Sequence, residues 1–234
     1  MESTRAILKE ELNDAYEERL YDFTEFEKLI LDTTSDNARV LDAGAGEGEH
    51  SEIFEEHSVE YIPVDSKVGP EDWDYSQVIE SDIADMRFLD DESIDLVLLI
   101  HVLEHIPDPD EVLPELHRVM KNDGSLFLSV PMMSSLHQEP HDYYRYTPYG
   151  IKDVFNRNGF QLDWIAPQLD GDRKAGLRRL IWSLDKTSSN YIEMLLTSFI
   201  KSGLRFFKPF LAWLDKNETS IIHPVGYFAR LRKQ

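Results

Sequence analysis

Carboxylates and a glycine turn stand where they could bind a nucleoside. The run VLDAGAGEG at 40–48 leads from an apolar segment into a turn. Glycines at Gly44, Gly46 and Gly48 let the backbone turn tightly and approach a ligand, and the helix start that follows presents free amide groups. Asp65 closes the next apolar run, YIPVD, where its carboxylate is placed to accept both hydroxyls of a ribose. Together these features predict a nucleoside site.

The acidic residues indicate which nucleoside. A dinucleotide fingerprint, G-x-G-x-x-G/A, needs a small residue at the position that Glu49 occupies here. Glu47 and Glu49 would also direct negative charge toward a pyrophosphate, so NAD is disfavoured. Asp82 ends a third apolar run, where a carboxylate can accept from an adenine amino group. Acids at Asp42, Asp65 and Asp82 suit a cofactor with a cationic centre, an amino acid tail and an adenosine.

Short apolar runs alternate with helical stretches along the chain, and this order predicts the elements that position those acids. Alternation of this kind is typical of βαβ units, which build a parallel sheet covered on both faces. The helical stretches lie near 48–57 and 110–121. Strands are predicted at 38–43, 59–64, 77–80, 94–100, 125–130, 160–166 and 225–232, with the last pairing at an edge or antiparallel.

The length of 234 residues suits one α/β domain with an appendage. Residues 1–35 are predicted to form an amphipathic helix or helical hairpin, because apolar residues recur there at three- and four-residue steps. Residues 36–170 form the predicted cofactor-binding core, 171–216 a basic and apolar helical insertion, and 217–234 the final strand.

Composition excludes several classes of protein. The chain has no cysteine, which removes disulfide scaffolds, thiol chemistry and cysteine-ligated zinc, and we predict no metal site. The net charge is -21; residues 1–125 carry 35 acidic and 9 basic side chains, which disfavours nucleic acid as a partner. A halophilic source would explain this charge, since salt screens self-repulsion. The N-terminus lacks the pattern of a signal peptide, so a cytoplasmic location is predicted.

From about residue 38 to 131 the sequence resembles the class I S-adenosylmethionine-dependent methyltransferases, in the branch called type 11 or 12. The glycine turn, the acids after successive strands, VLEHIPDP at 102–109 and NDG at 122–124 carry the resemblance. It implies a Rossmann-like seven-strand sheet with S-adenosylmethionine as cofactor. Asn122 and Asp123 stand where the family usually has proline and glycine, and we expect an altered turn without effect on activity.

The resemblance also implies a role for each cofactor residue. Gly44, Gly46 and Gly48 would surround the methionine part, Asp42 would hold its amino group directly or through water, Asp65 the ribose, Asp82 with Ile83 the adenine, and His101 would flank the methionine end. Nucleic acid amine methyltransferases resemble one another in an Asn/Asp-Pro-Pro-aromatic motif after the fourth strand. That motif is missing here, which favours oxygen or carbon acceptors.

The segment HQEPHDYYRYT at 137–147 follows the fifth strand and predicts the catalytic residues. His141 is the predicted general base, and Asp142 beside it would fix its tautomer or raise its basicity. Arg145 would pair with a carboxylate or phosphate of the acceptor. The alternative is a folded lid in which Arg145 pairs with Glu139 or Asp142 and serves packing only.

Glu104 and His105 have catalytic side-chain types, but they lie where the fourth strand enters its loop. We expect them to orient that loop beside the cofactor rather than to take part in the reaction.

Two segments predict the acceptor. EPHDYYRYT at 139–147 resembles a subgroup of methyltransferases from glycan assembly, which implies a hydroxyl or carboxylate of a sugar as the acceptor. Residues 173–215 mix basic with aromatic side chains, which suits the anionic inner face of a membrane and a lipid-linked sugar. The same segment could instead cap the sheet or form a dimer contact. Alternative functions are methylation of a lipophilic small molecule such as a quinone precursor, or nucleoside binding without catalysis.

Overall fold

A computed structural model describes residues 7–8, 10–12, 15–17, 19, 21–66, 72–168 and 224–234. The predicted helical insertion at 171–216 therefore lies outside the described residues. The strands are β1 (Arg39–Ala43), β2 (Glu60–Asp65), β3 (Ile79–Glu80), β4 (Ile94–Ile100), β5 (Met120–Pro131), β6 (Phe160–Gln168) and β7 (Gly226–Lys233). The α-helices with described bounds are α1 (Phe23–Thr33), α2 (Pro109–Val119) and α3 (Pro148–Arg157).

The strands form one sheet in the order β3-β2-β1-β4-β5-β7-β6. Strands β1 to β5 pair in parallel, and β7 runs antiparallel between β5 and β6. The predicted α/β, Rossmann-like seven-strand sheet is confirmed, although β7 lies inside the sheet and not at an edge. Strand order reverses between β1 and β4, where the carboxyl ends of an open sheet form a ligand crevice.

Both faces of the central strands are buried, which explains their continuous apolar runs. Leu96 and Leu98 of β4 face a core that α1 covers, in which the ring centroids of Phe26 and Phe228 stack 4.2 Å apart. The alternate residues of β4 face the opposite core, together with the apolar sides of α2 and α3. Successive side chains of a strand point to opposite faces, so one short run supplies both cores.

Capping residues fix where the helices begin. Asp22 and Glu25 form a reciprocal capping box at the start of α1. Asp108 and Thr147 cap α2 and α3, each directly before a proline at the first helical position. Helix α3 is absent from our sequence prediction, although its threonine cap and the apolar spacing of Ile151, Val154 and Phe155 signal it.

Two helical predictions are wrong in detail. The stretch at 48–57 forms only a short 3-10 helix, Glu49–Phe54. Of our two alternatives for residues 1–35, one continuous helix is wrong, because Tyr16 and Tyr21 make isolated parallel bridges to Ile165 and Gln168 of β6, whereas the helical hairpin stays a prediction. Pairing with the edge of the sheet satisfies backbone groups there that a helix would have satisfied internally.

The turn expected at Asn122 and Asp123 is a bulge within β5. Ile94 pairs with Met120 and Leu96 pairs with Ser125, so one residue of β4 lies opposite four of β5, residues 121–124. Gly124 fits this bulge because a Cβ would lie 3.1 Å from the carbonyl oxygen of Asp95. Among the described residues, no helix is long and apolar enough to cross a membrane.

Candidate active site

A cavity of about 610 Å³ lies beyond the carboxyl ends of β1, β2 and β4. This volume falls within the range of small-molecule and cofactor sites. Most of the predicted cofactor residues line it: Gly44, Gly46, Asp65, Asp82, Ile83 and His101. Gly48 and Asp42 do not line it. The sequence thus located the site, and the structure separates residues that face the cavity from residues behind it.

The glycine turn after β1 depends on the absence of side chains. Gly44, Gly46 and Gly48 have φ angles of 82°, 56° and 83°, in the left-handed region that favours glycine. A Cβ on Gly44 would lie 2.5 Å from a Val102 methyl carbon, and one on Gly46 would lie 3.0 Å from the Trp73 ring. The close approach of Val102 and Trp73 makes this turn a cradle that larger residues would fill.

Asp65 at the end of β2 also holds the turn in place. Its Oδ2 accepts a hydrogen bond from the backbone N–H of Gly46 at 3.0 Å. Asp82 is exposed, and its Oδ1 accepts from the backbone N–H of Ala84 at 2.8 Å. Both residues line the cavity, so their positions are compatible with the ribose and adenine roles predicted for them.

Asp42 lies behind the cavity in a buried network. Its side chain is 1% exposed; Oδ2 accepts from the hydroxyl of Tyr61 and lies 2.9 Å from Nδ1 of His50. Its Oδ1 is buried without a hydrogen-bond partner. His50 lines the cavity in front of Asp42. The structure therefore gives no direct contact between Asp42 and the cavity, and His50, which sequence analysis missed, is the group that Asp42 positions.

The network shifts two pKa values. Burial lowers the pKa of His50, but the hydrogen bond and charge of Asp42, with the charges of Glu49 and Glu27, outweigh burial and raise it overall. Burial raises the pKa of Tyr61 far above its ordinary value, and the Asp42 charge adds to this. Tyr61 therefore stays a neutral donor, while His50 is favoured as a cation next to Asp42.

We expect His50 to stabilise the fold most strongly at low pH. A histidine whose pKa is raised by folding contributes its full stabilisation below its unfolded pKa, about 6.5, and loses it as pH rises through the folded pKa. Urea unfolding of the wild type and of His50→Asn should give a difference in free energy that shrinks from pH 6 toward pH 8.5. His57→Asn, at an exposed position, is the matched control. A difference for His50→Asn that does not change with pH would mean that His50 stays neutral.

Glu104 is fully buried among histidines at the end of β4. Its side chain is 0% exposed, and neither carboxylate oxygen has a hydrogen-bond partner. From its Oε1, Nδ1 of His101 is 3.6 Å away, Nε2 of His105 is 3.8 Å away and Nε2 of His137 is 3.7 Å away. His101 and His105 line the cavity. This cluster of Glu104, His101, His105 and His137 is called the imidazole cluster below.

The loop after β5 differs from its predicted arrangement. Asp142 accepts two hydrogen bonds from Arg145, at 2.5 and 2.7 Å, and one from the backbone N–H of His137. The Arg145 hydrogen bonds hold the pKa of Asp142 well below its usual range. Nδ1 of His141 lies 3.2 Å from the Tyr143 hydroxyl. The prediction that Asp142 fixes the His141 tautomer is therefore wrong, because Arg145 and His137 already occupy its carboxylate.

None of His141, Asp142 and Arg145 lines the cavity, and Gln138 is the residue of this loop that does. The pairing of Arg145 with Asp142 is the one that our alternative, a folded lid, required. Arg145 is thus held by an internal carboxylate and is not presented to an acceptor.

Backbone hydrogen bonds join this loop to the one after β4. The carbonyl oxygen of Glu104 accepts from the backbone N–H groups of Tyr143 and Tyr144, at 2.9 and 3.2 Å. Nδ1 of His105 donates to the carbonyl oxygen of His141 at 2.7 Å. His141 and its neighbours therefore support the imidazole cluster through main-chain groups.

A sequence profile described as a methyltransferase domain matches residues 14–165. The chain belongs to this methyltransferase family. The predicted class I S-adenosylmethionine-dependent methyltransferase is confirmed at the level of family, fold and cofactor. The positive-φ glycines, the cavity and Asp65 at its edge fit that cofactor. The glycan subgroup that EPHDYYRYT suggested receives no support from these comparisons.

Curated relatives match this methyltransferase over a limited segment. A ubiquinone biosynthesis O-methyltransferase of Pseudomonas aeruginosa, strain LESB58, is 32% identical over 100 residues, which cover 39% of the chain and 43% of the relative. One from Pseudomonas syringae is 29% identical over 103 residues. The chain thus spans less than half the length of these relatives.

Solved structures share the fold at low identity. A S-adenosylmethionine-dependent methyltransferase of Archaeoglobus fulgidus is 20% identical with a TM-score of 0.53, covering 90% of this chain and 92% of that one. The [4+2]-cyclase SpnF is 14% identical with a TM-score of 0.56, covering 89% and 80%. Because a cyclase shares this fold, the fold alone does not determine the acceptor or the reaction.

Proposed function

We propose that the chain transfers a methyl group from S-adenosylmethionine to an oxygen atom of a small acceptor. The observation that carries this proposal is His101, which faces the cavity with its Nδ1 3.6 Å from the buried carboxylate of Glu104. A hydroxyl is a poor nucleophile until it loses its proton, so an oxygen acceptor calls for a proton acceptor at the site.

S-adenosylmethionine, which Gly44, Gly46 and Asp65 would hold, would supply the methyl group, and its sulfur would keep the electron pair of the broken bond. His101 takes the proton that the hydroxyl loses. Oε1 of Glu104 lies 3.6 Å from Nδ1 of His101 and orients the ring, which leaves Nε2, beside Oγ of Ser129 at 3.3 Å, to take the proton. His101 replaces His141 in this role, because His141 lies outside the cavity lining.

A glycan hydroxyl is the acceptor that the loop after β5 supports. Tyr143 and Tyr144, at 44% and 41% exposed, lie on this loop, and their backbone N–H groups donate to the carbonyl oxygen of Glu104. Tyrosine rings combine an apolar face with a polar hydroxyl, which suits the face and the hydroxyls of a sugar. A carboxylate acceptor such as a uronic acid would need no base, and the proton acceptor therefore favours a hydroxyl.

A phenolic acceptor such as a quinone precursor is the second candidate. It is favoured by the curated relatives, which are named ubiquinone biosynthesis O-methyltransferases. Met133 and Leu136, at 44% and 68% exposed, add apolar surface on the same loop. Nucleoside binding without turnover is less favoured, since that function gives the buried cluster around Glu104 no role.

Radiolabelled S-adenosylmethionine tests the reaction and the acceptor together. The chain is incubated with separated glycolipid, free glycan and quinone fractions, and the methylated product is identified by mass spectrometry. We expect label in a glycan-bearing fraction, as an ether resistant to mild base; label in the quinone fraction would select the second candidate. No label in any fraction, with S-adenosylhomocysteine still bound, would contradict the proposed activity.

His101→Gln should lower turnover by about 100-fold, as expected for loss of a proton acceptor. Affinity for S-adenosylhomocysteine, measured by calorimetry, should stay within a few fold of the wild type. His141→Gln is the matched control and should keep most of the turnover. Equal losses in the two variants would remove His101 from this role.

Predictions about the surroundings of the protein stay predictions. The segment at 173–215, on which contact with an anionic membrane depends, lies outside the described residues. The halophilic source and the exclusion of nucleic acid rest on composition and charge, and the cytoplasmic location rests on the pattern of the N-terminal residues.

A further inference from the structure

The imidazole cluster contains buried polar atoms that have no hydrogen-bond partner. Both carboxylate oxygens of Glu104 and Nε2 of His105 are buried with no hydrogen bond. A buried polar group without a partner costs free energy, and a buried carboxylate costs more than a neutral group. Several such buried atoms lie close together here, which indicates that a bound group supplies the missing interactions.

We propose that Glu104, His105 and His137 bind one divalent transition-metal ion, with Zn²⁺ as the best-suited probe. One ligand atom from each residue can be chosen so that all lie within 4.8 Å of one another. Nε2 of His105 and of His137 lie 3.8 and 3.7 Å from Oε1 of Glu104. Ligands at about 2.1 Å from a tetrahedral zinc ion are about 3.4 Å apart, so small side-chain adjustments would close the site.

The second nitrogen of each imidazole is already oriented as a metal ligand requires. Nδ1 of His105 donates to the carbonyl oxygen of His141 at 2.7 Å, and Nδ1 of His137 donates to that of Ser135 at 3.2 Å. Asp142 lies 3.5 Å from the same nitrogen of His137. A proton fixed on Nδ1 leaves the lone pair of Nε2 directed at the cluster, which is the usual outer-shell support of metal-binding histidines.

The donor set selects the class of metal. Two imidazoles and one carboxylate suit zinc, iron and related divalent ions, whereas magnesium and calcium prefer oxygen ligands. Three protein ligands leave at least one coordination position open, which is typical of catalytic rather than structural zinc. We predicted no metal site in this chain, which has no cysteine, but the ligands proposed here are two histidines and a glutamate.

The position of the site gives the ion a role in the proposed function. Of the three ligands, His105 lines the cavity, so the ion would lie next to the cavity wall. An ion held there would fix the loops after β4 and β5 in position beside the acceptor. This role rests on the proposed oxygen methylation, whereas the metal site itself does not.

Metal binding is tested by equilibrium dialysis of the chelator-stripped full chain against Zn²⁺. We expect about one ion per chain in the wild type, and at least a 100-fold loss of affinity in His137→Gln and in His105→Gln. His57→Gln, an exposed histidine outside the cluster, is the matched control and should bind as the wild type does. S-adenosylhomocysteine binding shows that each variant is folded.

Cobalt substitution reports the ligands directly. Co²⁺ bound at this site should give visible absorption bands that shift or vanish in His137→Gln and persist in His57→Gln. Failure of the wild type to retain an ion, or retention that His137→Gln and His105→Gln leave unchanged, would overturn the site. Zinc binding without methyl transfer would count against the proposed function alone, and methyl transfer by a chain that binds no ion would count against the metal alone.

Discussion

Replacing Gly44 with alanine is expected to weaken S-adenosylhomocysteine binding by about 100-fold, or about 2.7 kcal/mol. The new Cβ would lie 2.5 Å from a methyl carbon of Val102 and at a φ of 82°. A left-handed conformation costs a non-glycine residue about 1–2 kcal/mol, and the overlap must be relieved by moving the turn or the side chain of Val102. Both Gly44 and Val102 line the cavity, so either movement alters the site.

Gly48→Ala separates the effect of backbone strain on cofactor affinity from the effect of steric overlap. Gly48 has nearly the same φ, 83°, but its nearest foreign atom would lie 3.8 Å from the new Cβ, an ordinary contact. This variant should therefore lose only the part of the affinity that backbone strain accounts for. Adding Val102→Ala to Gly44→Ala should recover part of the loss, measured by calorimetry in a double-mutant cycle. Equal losses in Gly44→Ala and Gly48→Ala would show that the close approach of Val102 is not what excludes a side chain.

Asp65→Ala should also weaken S-adenosylhomocysteine binding by about 100-fold. It removes the predicted acceptor for the ribose hydroxyls and the observed acceptor for the Gly46 amide at 3.0 Å. A hydrogen bond to a charged group contributes about 1.5–3 kcal/mol, so the net loss of one of them accounts for a change of this size. Calorimetric titration of each variant measures the change.

Asp65→Asn distinguishes the two contributions. The amide oxygen of asparagine can still accept from Gly46, while the charge that favours two ribose hydroxyls is lost. We expect an intermediate affinity, and Asp123→Ala, at an exposed position on β5, should bind as the wild type does. Wild-type affinity in Asp65→Ala would refute the ribose assignment.

The central sheet and the cofactor side of the site were readable from sequence because local patterns specify them. Continuous apolar runs predicted β1, β2 and β4 to within one residue, and Asp65 follows directly from the end of its strand. A glycine turn needs positive φ angles whatever surrounds it, so its position alone identified the cradle. Only the fold could show that Asp42 is buried behind His50.

The acceptor side could not be predicted because it depends on contacts distant in sequence. His137 reaches Glu104 only because β4 and β5 are adjacent and parallel, which brings their following loops together. Proximity in sequence suggested that Asp142 orients His141, whereas the folded loop turns Asp142 toward Arg145. Extended pairing of Tyr16 with β6 likewise overrides the helical spacing of the N-terminal residues.

The main-chain bonds between the two loops bear on how this enzyme family can change its substrate. The carbonyl oxygens of Glu104 and His141 accept hydrogen bonds that hold the loops together, and the Tyr144 hydroxyl donates one more to the carbonyl oxygen of Pro107. The Tyr143 hydroxyl instead contacts His141 of its own loop at 3.2 Å. Substitution of Tyr143 can therefore change the exposed aromatic surface of this loop, while the hydrogen bonds to the neighbouring loop are kept. Substitutions of this kind can change which acceptor binds, while the residues around the cofactor stay the same.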